Sequence, residues 1–488
     1  MKNYKRIFLL AVVAFIGTVD LNIFSVPFAI AQEEKAQKEY ELETMTVTAE
    51  KREENIQEVP ASITALSDVY IEDAAVLDIE DLIYQIPNLH MVKTGSHTPY
   101  ASCLSIRGLS TVINPTVGFY VDDVYYLGGS DTEFFDVERI EVLRGPQGTL
   151  YGRNTEAGVV NIVTKKPGNQ CEGKASAGYG NYNSQSYNAA IGGPLVKEKL
   201  FFRVSGNYFL SDGYFDNKFL DNEDTDDRDD LNGRTLLRWT PTDAWDITLS
   251  TEFQRYRDGN ACFAPLEEVR RNPHDVSLDF EGSADQDGNG QAMRLVYDHE
   301  WFTLTSITSL RDWESDERVD LDFSPTDFMR AQFFYEDDTF SQEIRLASTT
   351  GSAPLKWLAG TYFFDEERDS EYTYDYRQGY PAWGLPPYKD YQDSVTDTQG
   401  YAFFGQATYT LFEKLGLTAG LRYDHETKDF EFDEHFDQDL SMFGMLPSSV
   451  KADEDYDAWL PKFSVDYRLT PHLMPYASVA RGYTSASA

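Results

Sequence analysis

The sequence predicts a mainly β protein, namely a transmembrane antiparallel β-barrel preceded by a small α+β domain. From about Gly173 onward, apolar and polar residues alternate in run after run, as in strands with one apolar and one polar face. The connections between these runs alternate between very short and very long, and aromatic residues mark the ends of the runs. The first third of the chain instead mixes helical spacing with short strands.

Residues 1–31 are predicted to form a cleaved signal peptide. Basic residues precede the apolar run Ile7–Ile16, and Ala29 and Ala31 supply the small side chains that signal peptidase requires. The apolar run is too short to span a bilayer. Residues 32–50 are expected to be a flexible, charged segment.

The formal net charge of -40 excludes one class of partner, because so negative a field repels nucleic acid. A disordered acidic chain would also carry such a charge. Aromatic residues make up 14% of the sequence, however, and together with the long alternations they favour a folded protein.

Residues 51–170 are predicted to form the α+β domain. Apolar residues have helical spacing over Asp78–Ile86, and Pro87 ends the predicted helix. Glycine-rich turns separate four short predicted strands, which are Leu104–Ile106, Val117–Val121, Arg139–Leu143 and Val159–Val163.

Residues 171–488 are predicted to form the barrel. In Trp245–Gln254 and again in Leu415–Asp424, apolar residues occupy alternate positions, and the residues between them are polar or small. In a membrane barrel the apolar face would contact lipid and the polar face would line the lumen.

The lengths of the connections favour a membrane barrel over the alternative, a soluble β-sandwich or propeller. Outer-membrane barrels have tight periplasmic turns and long outer loops, and their strands of about ten residues span a thin apolar slab at a tilt. Short connections are predicted at Thr240–Asp243, Leu411–Lys414 and Leu469–His472, and long ones at Ser211–Asp230, Arg257–Gly290, Asp365–Thr396 and Glu426–Asp455.

Roughly thirteen strands are predicted between Gly173 and Tyr483, whereas barrels with a filled lumen have ~22 strands. An open edge in lipid would leave backbone donors and acceptors unpaired. The barrel is therefore expected to be incomplete, with about 13 of ~22 strands, as in a C-terminally truncated chain.

The passage VERIEVLRGPQGTLYGRNTEAGVVNIVTKKPG is the most specific of six distinctive passages. Together these passages resemble the TonB-dependent outer-membrane receptors, and siderophore receptors in particular, and the resemblance implies that the α+β domain is a plug inside the barrel. The passages are Glu43–Ser67, Ser105–Gly108, Val117–Tyr126 and Val137–Gly168 in the plug, and Gln342–Ser348 and Pro354–Phe364 in the barrel.

The resemblance implies a TonB box at Thr44, Met45, Thr46, Val47 and Thr48. Such a β-prone segment would add as a strand to the exposed edge of TonB, the energy-transducing partner in the periplasm, through main-chain hydrogen bonds. The alternative is that these residues form the first strand of a folded domain.

The resemblance also implies a plug motif and plug–barrel contacts. The glycines of the motif permit tight turns, and no Gly-Lys-Ser/Thr follows them, which disfavours a nucleotide-binding loop. Arg107 and Arg144 would meet acidic residues of the barrel wall, with Glu343 as one candidate. The predicted residues are Arg107, Gly108, Glu138, Arg139, Glu141, Arg144, Gly145, Pro146, Gly148, Tyr151, Gly152 and Glu343.

No catalytic residue, cofactor or resident metal is predicted. The seven histidines lack metalloenzyme spacing, and no Ser/His/Asp arrangement is recognisable. Asp285–Gly290 matches the first half of a calcium-binding loop, but position twelve of such a loop would be Val296 instead of Glu. A solvated Asp/Gly turn is the favoured interpretation of this stretch, and a calcium loop is the alternative.

The resemblance implies uptake of a scarce solute across the bacterial outer membrane, with a ferric siderophore as the leading ligand. A glycan or other nutrient receptor of the same architecture is the alternative, as is a truncated product without function. The plug passage disfavours a passive porin. Expected partners are TonB, outer-membrane lipid and an iron chelate or similar small ligand, with no nucleic acid and with the protein acting as a monomer.

Overall fold

The structure is a computed structural model that describes residues 45–93, 102–110, 115–126, 134–260, 263–349, 353–381, 384–470 and 473–485. The predicted signal peptide, most of the predicted flexible segment and Thr44 of the predicted TonB box lie outside the described residues. Among the helices in the described ranges, none is long and apolar enough to cross a membrane.

The N-terminal unit, residues 45–164, is called the plug below, and its described residues form nine short strands, three short α-helices and one 3-10 turn at Ile56–Glu58. The side chain of Asp78 accepts a hydrogen bond from the Asp81 N–H at 3.0 Å and thereby caps the predicted helix. In chain order the elements are β1 (Thr46–Val47), β2 (Glu54–Asn55), β3 (Ser62–Ser67), α1 (Asp68–Asp73), α2 (Ile79–Gln85), β4 (Leu89–Lys93), β5 (Ser102–Ile106), β6 (Val117–Val121), β7 (Val124–Tyr125), β8 (Val137–Arg144), α3 (Gly148–Tyr151) and β9 (Gly158–Thr164).

The central plug sheet has the order β3-β8-β9-β6-β7, in which β9 runs parallel to β6 and all other neighbours are antiparallel. Its strands are buried because both faces are covered. Leu82 of α2 packs with Ile140 of β8 in one core cluster. Leu143 of β8 shares a second cluster with Leu358 and Phe404 of the long sheet that follows. The plug therefore packs against the inner face of that sheet.

The long sheet contains thirteen antiparallel strands in sequence order in the described part of the chain, which confirms the predicted number. Its two edge strands do not pair with each other in that part of the chain, so the sheet is curved around the plug without closing. The strands are β10 (Glu172–Tyr179), β11 (Gln185–Val196), β12 (Leu200–Ser211), β15 (Arg228–Trp239), β16 (Trp245–Asp258), β18 (Ser283–Asp298), β19 (Phe302–Asp320), β20 (Met329–Ser348), β21 (Leu355–Tyr376), β22 (Tyr388–Leu411), β23 (Leu415–Phe436), β24 (Ser448–Tyr467) and β25 (Tyr476–Ala480).

The two faces of these strands are inverted relative to those of a soluble protein. In β23, Leu417 and Leu421 are 43% and 47% exposed, whereas Arg422 and Asp424 on the opposite face are only 3% and 4% exposed. The apolar side chains point away from the plug and the charged ones point towards it. The predicted arrangement, apolar outward and polar inward, is confirmed.

The predicted strand length of about ten residues is wrong for most of the sheet. β21 has 22 residues and β22 has 24. The predicted loops Asp365–Thr396 and Glu426–Asp455 are largely strand, which leaves connections of residues 377–387 and 437–447. Outside a lipid slab both faces of a strand contact water, so the ladder continues without the alternation that marks it in sequence.

The stretch Asp285–Gly290 lies inside β18 and pairs with both neighbouring strands. Both the turn and the calcium-loop interpretations of this stretch are therefore wrong. Two of the predicted long connections hold elements of their own, which form a small sheet in the order β14-β13-β17 beside a short helix. These elements are β13 (Phe215–Asn217), β14 (Asn222–Thr225), α4 (Leu266–Arg271) and β17 (Asp275–Val276).

Candidate functional site

The N-terminal segment Met45–Thr48 is folded into the plug. Its strand β1 pairs antiparallel with β2, and Val47 is fully buried. In this structure the segment thus forms the first strand of a folded unit. Strand addition to a partner would require its release, because the backbone groups of β1 already have partners.

Glu141 holds the end of this segment. Its side chain is fully buried at the centre of β8, where Oε1 accepts a hydrogen bond from the Thr48 N–H at 2.8 Å and from Arg139 Nε at 2.8 Å. The Thr48 hydroxyl also donates to Glu141 Oε1 at 3.1 Å, and it accepts from Asn161 Nδ2 at 3.2 Å. A buried carboxylate is tolerated because charged and polar donors surround it.

Lys51, three residues after Thr48, belongs to a charged cluster between the plug and the barrel wall. Lys51 Nζ lies 3.3 Å from Asp123 Oδ1 in the plug and 3.6 Å from Glu343 Oε2 in β20. Arg345, also in β20, contacts Asp123 at 2.6 Å and Glu343 at 2.5 Å. We call these four residues the Lys51 cluster.

The Asp123 carboxyl of the Lys51 cluster stays ionised although it is buried. Burial alone would raise the pKa of Asp123, but Arg345 and Lys51 together hold that pKa well below its usual range. The ammonium group of Lys51 also lies 5.2 Å and 4.5 Å from the ring centroids of Tyr120 and Tyr151. Cation–π contacts of this kind stabilise a desolvated cation by about 2 kcal/mol.

Further ion pairs fix the residues that follow the segment to the wall. The carboxyl of Glu50 is buried, which would raise its pKa, yet Lys462 beside it makes the pKa lower than usual. The described pairs are Glu50–Lys462 at 2.9 Å, Glu54–Lys356 at 2.8 Å and Glu58–Arg468 at 3.3 Å.

Helix α3 docks on β22, β23 and β24 of the wall, and the residues after it reach β21. Arg153 contacts Glu366 of β21 at 2.5 Å and lies 4.0 Å above the Phe364 ring. Gly152 has φ +87°, and a Cβ there would lie 2.6 Å from the Arg422 guanidinium. Only glycine combines this left-handed backbone with so close an approach of a wall arginine.

The predicted site residues divide into two groups. Arg139 and Glu141 form the centre that holds Thr48, while Glu138 contacts Arg139 from a half-exposed position. Tyr151 packs over Lys51. The remaining predicted residues of the motif, Gly145, Pro146, Gly148 and Gly152, lie at the turn and helix that join β8 to the wall.

Two predicted arginines differ from expectation. Arg144 donates to the Pro87 carbonyl at 3.3 Å, and Arg107 and Gly108 form the left-handed turn after β5. The ion pairs described for Glu343 are with Lys51 and Arg345 instead of Arg107 or Arg144. Glu343 does face the plug, but a different plug residue meets it.

Five residues of these contacts were not predicted from the sequence, namely Lys51, Asp123, Arg153, Arg345 and Glu366. Arg345 stands two residues after Glu343, so both point to the same face of β20, and this was a usable signal. The pairing of Arg153 with a residue 213 positions away left no local signal.

Comparison with known proteins identifies relatives along most of the chain. The family model for the TonB-dependent receptor plug domain matches residues 55–159, and the TonB-dependent receptor-like β-barrel model matches residues 172–488. The pesticin receptor of Yersinia pestis is 24% identical over 470 residues, which cover 93% of this chain and 65% of that protein.

Solved structures show the same fold. The ferric yersiniabactin uptake receptor FyuA of Yersinia pestis has a TM-score of 0.79 at 22% identity, over 87% of this chain and 65% of that one. The siderophore receptor PiuA of Acinetobacter baumannii has a TM-score of 0.67 at 16% identity, over 87% and 65% of the two chains. The chain thus spans about 65% of the length of these relatives.

Proposed function

Since its plug and barrel matches show that this chain belongs to the TonB-dependent receptor family, we propose that it mediates TonB-dependent uptake of a ferric siderophore across the outer membrane. The family consists of outer-membrane receptors and transporters and not of enzymes. The proposed partners are TonB on the periplasmic side, lipid around the barrel and a small ferric chelate on the outer side.

The observation that carries the proposal is that two firmly bound residues, Thr48 and Lys51, lie only three positions apart in the chain. Thr48 is held by Glu141, and Lys51 is held by the plug and the wall together. A pull on Thr44–Thr48 would therefore break the Glu141 contacts first and then load the Lys51 cluster. A polar interface of this kind yields to force in small steps, whereas a dry apolar interface of equal area would resist. This supports energy delivery through the N-terminal segment.

The named relatives support a ferric chelate as the ligand. Both FyuA and PiuA are described as receptors of siderophores or of their ferric complexes. A glycan receptor of the same architecture would share the plug and barrel, so the transported solute decides between the two functions.

The test is uptake by cells that express the complete receptor under iron starvation. Cells receive ⁵⁵Fe carried by a panel of chelators that includes yersiniabactin and citrate, and cell-associated and internalised label are measured separately. Val47→Pro removes a main-chain donor and should abolish energised uptake while leaving surface binding. Val47→Leu keeps that donor and is the matched control.

Undiminished uptake by Val47→Pro would show that strand addition at this segment is not used. Absence of chelate binding, together with growth that depends on the receptor when a polysaccharide is the nutrient, would replace the siderophore with a glycan.

A further inference from the structure

Three carboxylates meet between two outer loops. One oxygen each of Asp279, Asp320 and Asp322 lies within 4.8 Å of the others. Asp279 belongs to the connection between β16 and β18, and the other two residues lie at the end of β19 and just beyond it. Asp320 is only 3% exposed, and the side chain of Asp279 is 6% exposed.

Two oxygens of these buried carboxylates accept no hydrogen bond from the described residues. Asp320 Oδ1 accepts from the N–H groups of Asp322 and Phe323 at 3.0 Å and 3.1 Å, whereas its Oδ2 accepts no hydrogen bond from the described residues. Asp279 Oδ2 accepts from Arg330 at 2.7 Å, and its Oδ1 likewise has no donor in the described ranges. A buried carboxylate oxygen without a donor requires a compensating positive group.

The charges within the cluster do not balance. Three carboxylates lie together, and among the described contacts Arg330 is the cation that pairs with one of them. The cluster is therefore short of positive charge.

The surrounding loops are already in contact. The rings of Phe263 and Phe323 lie 4.9 Å apart, and the Asp279 N–H donates to the Ser324 carbonyl at 3.2 Å. The spacing of Asp320, Asp322 and Ser324 places oxygen-bearing side chains at every second residue, as in the first half of a calcium loop.

We propose that Asp279, Asp320 and Asp322 bind a calcium ion that ties these two outer loops together. Carboxylate and carbonyl oxygens in a flexible loop arrangement suit Ca²⁺, whereas Mg²⁺ requires a tighter octahedral set. The ion supplies the missing positive charge, and Arg330 keeps its hydrogen bond to Asp279 Oδ2. The three proposed ligands belong to the barrel part of the chain, and none of them is a plug residue.

The experiment is calorimetric titration of the purified receptor, freed of lipopolysaccharide and stripped with EDTA, with Ca²⁺ and separately with Mg²⁺. One Ca²⁺ should bind per chain, and more tightly than Mg²⁺. Asp320→Asn keeps the backbone contacts through Oδ1 and removes the charge, so it should weaken Ca²⁺ binding at least tenfold. Asp287→Asn, which removes an equally acidic side chain that pairs with Arg257 at 2.6 Å, should leave Ca²⁺ binding unchanged.

Hydrogen exchange of the unmodified receptor provides a second measurement that does not depend on the folding of any variant. Ca²⁺ should slow exchange in residues 320–329 and 263–282. Equal Ca²⁺ affinity in Asp320→Asn, or no Ca²⁺-dependent protection of these loops, would overturn the proposal.

Discussion

Replacing Glu141 with Gln tests whether this carboxylate holds the N-terminal segment in the plug. The buried side chain accepts hydrogen bonds from the Thr48 N–H, the Thr48 hydroxyl and Arg139 Nε, at 2.8, 3.1 and 2.8 Å. Gln is nearly isosteric, but it carries no charge, and the amide NH₂ that replaces Oε2 cannot accept from the Thr48 hydroxyl or from Asn161 Nδ2.

Hydrogen bonds to a charged group contribute about 1.5–3 kcal/mol each, against about 1 kcal/mol for neutral pairs. We therefore expect Glu141→Gln to weaken the docking of Thr48 by roughly 2 kcal/mol. Because each 1.4 kcal/mol is a factor of ten, the released population should rise about 30-fold.

The assay is hydrogen exchange of the amides of residues 46–52 in the receptor in detergent, where the exchange rate follows the open population. Glu138→Gln is the matched control, because Glu138 also pairs with Arg139 but its side chain is 46% exposed and none of its described contacts is with Thr48. If exchange of Thr48 in Glu141→Gln matches that of the unmodified protein, Glu141 does not hold the segment.

Three further changes test the plug–wall interface and the plug itself. Lys51→Met removes the ammonium group from its cluster and should lower the force that extracts the plug in single-molecule pulling; an unchanged force would contradict a mechanical role. Arg153→Met leaves Glu366 buried without its partner, which should destabilise the receptor by about 3–5 kcal/mol in thermal unfolding. A second change, Glu366→Gln, should restore most of that stability, and a failure to do so would show that the two residues are not coupled. Gly158→Ala would place a Cβ 2.2 Å from the Leu143 carbonyl oxygen, so folded yield on heat-modifiable gels should fall; full yield would refute this packing argument.

Much of the fold could be predicted because its signals are local. The helix capped by Asp78 and the strands around Val117–Val121 and Val159–Val163 follow from spacing and turn residues. The two-faced run Leu415–Asp424 predicted which face would be apolar and outward. Strand length was not predictable beyond the membrane, because with water on both sides no alternation marks the strand.

The candidate site was predicted only in part, because its residues are recognisable locally but their contacts are not. Glu141 and Arg139 lie in a recognisable motif, but the contact of Glu141 with Thr48 joins residues 93 positions apart. Lys51, Asp123 and Arg345 meet only because the plug lies against the long sheet. Such contacts depend on register and docking, which the residues near each partner do not encode.

The unusual length of the strands has a geometric consequence for ligand capture. With 24 residues at about 3.3 Å each and a tilt near 40°, β22 rises about 60 Å along the barrel axis. The apolar band of such barrels is about 25 Å tall, so about 35 Å of the strand rise lies outside the hydrocarbon. The outer strand ends therefore lie above the headgroup layer, and under the proposed function a solute meets them before it reaches the depth of the lipid.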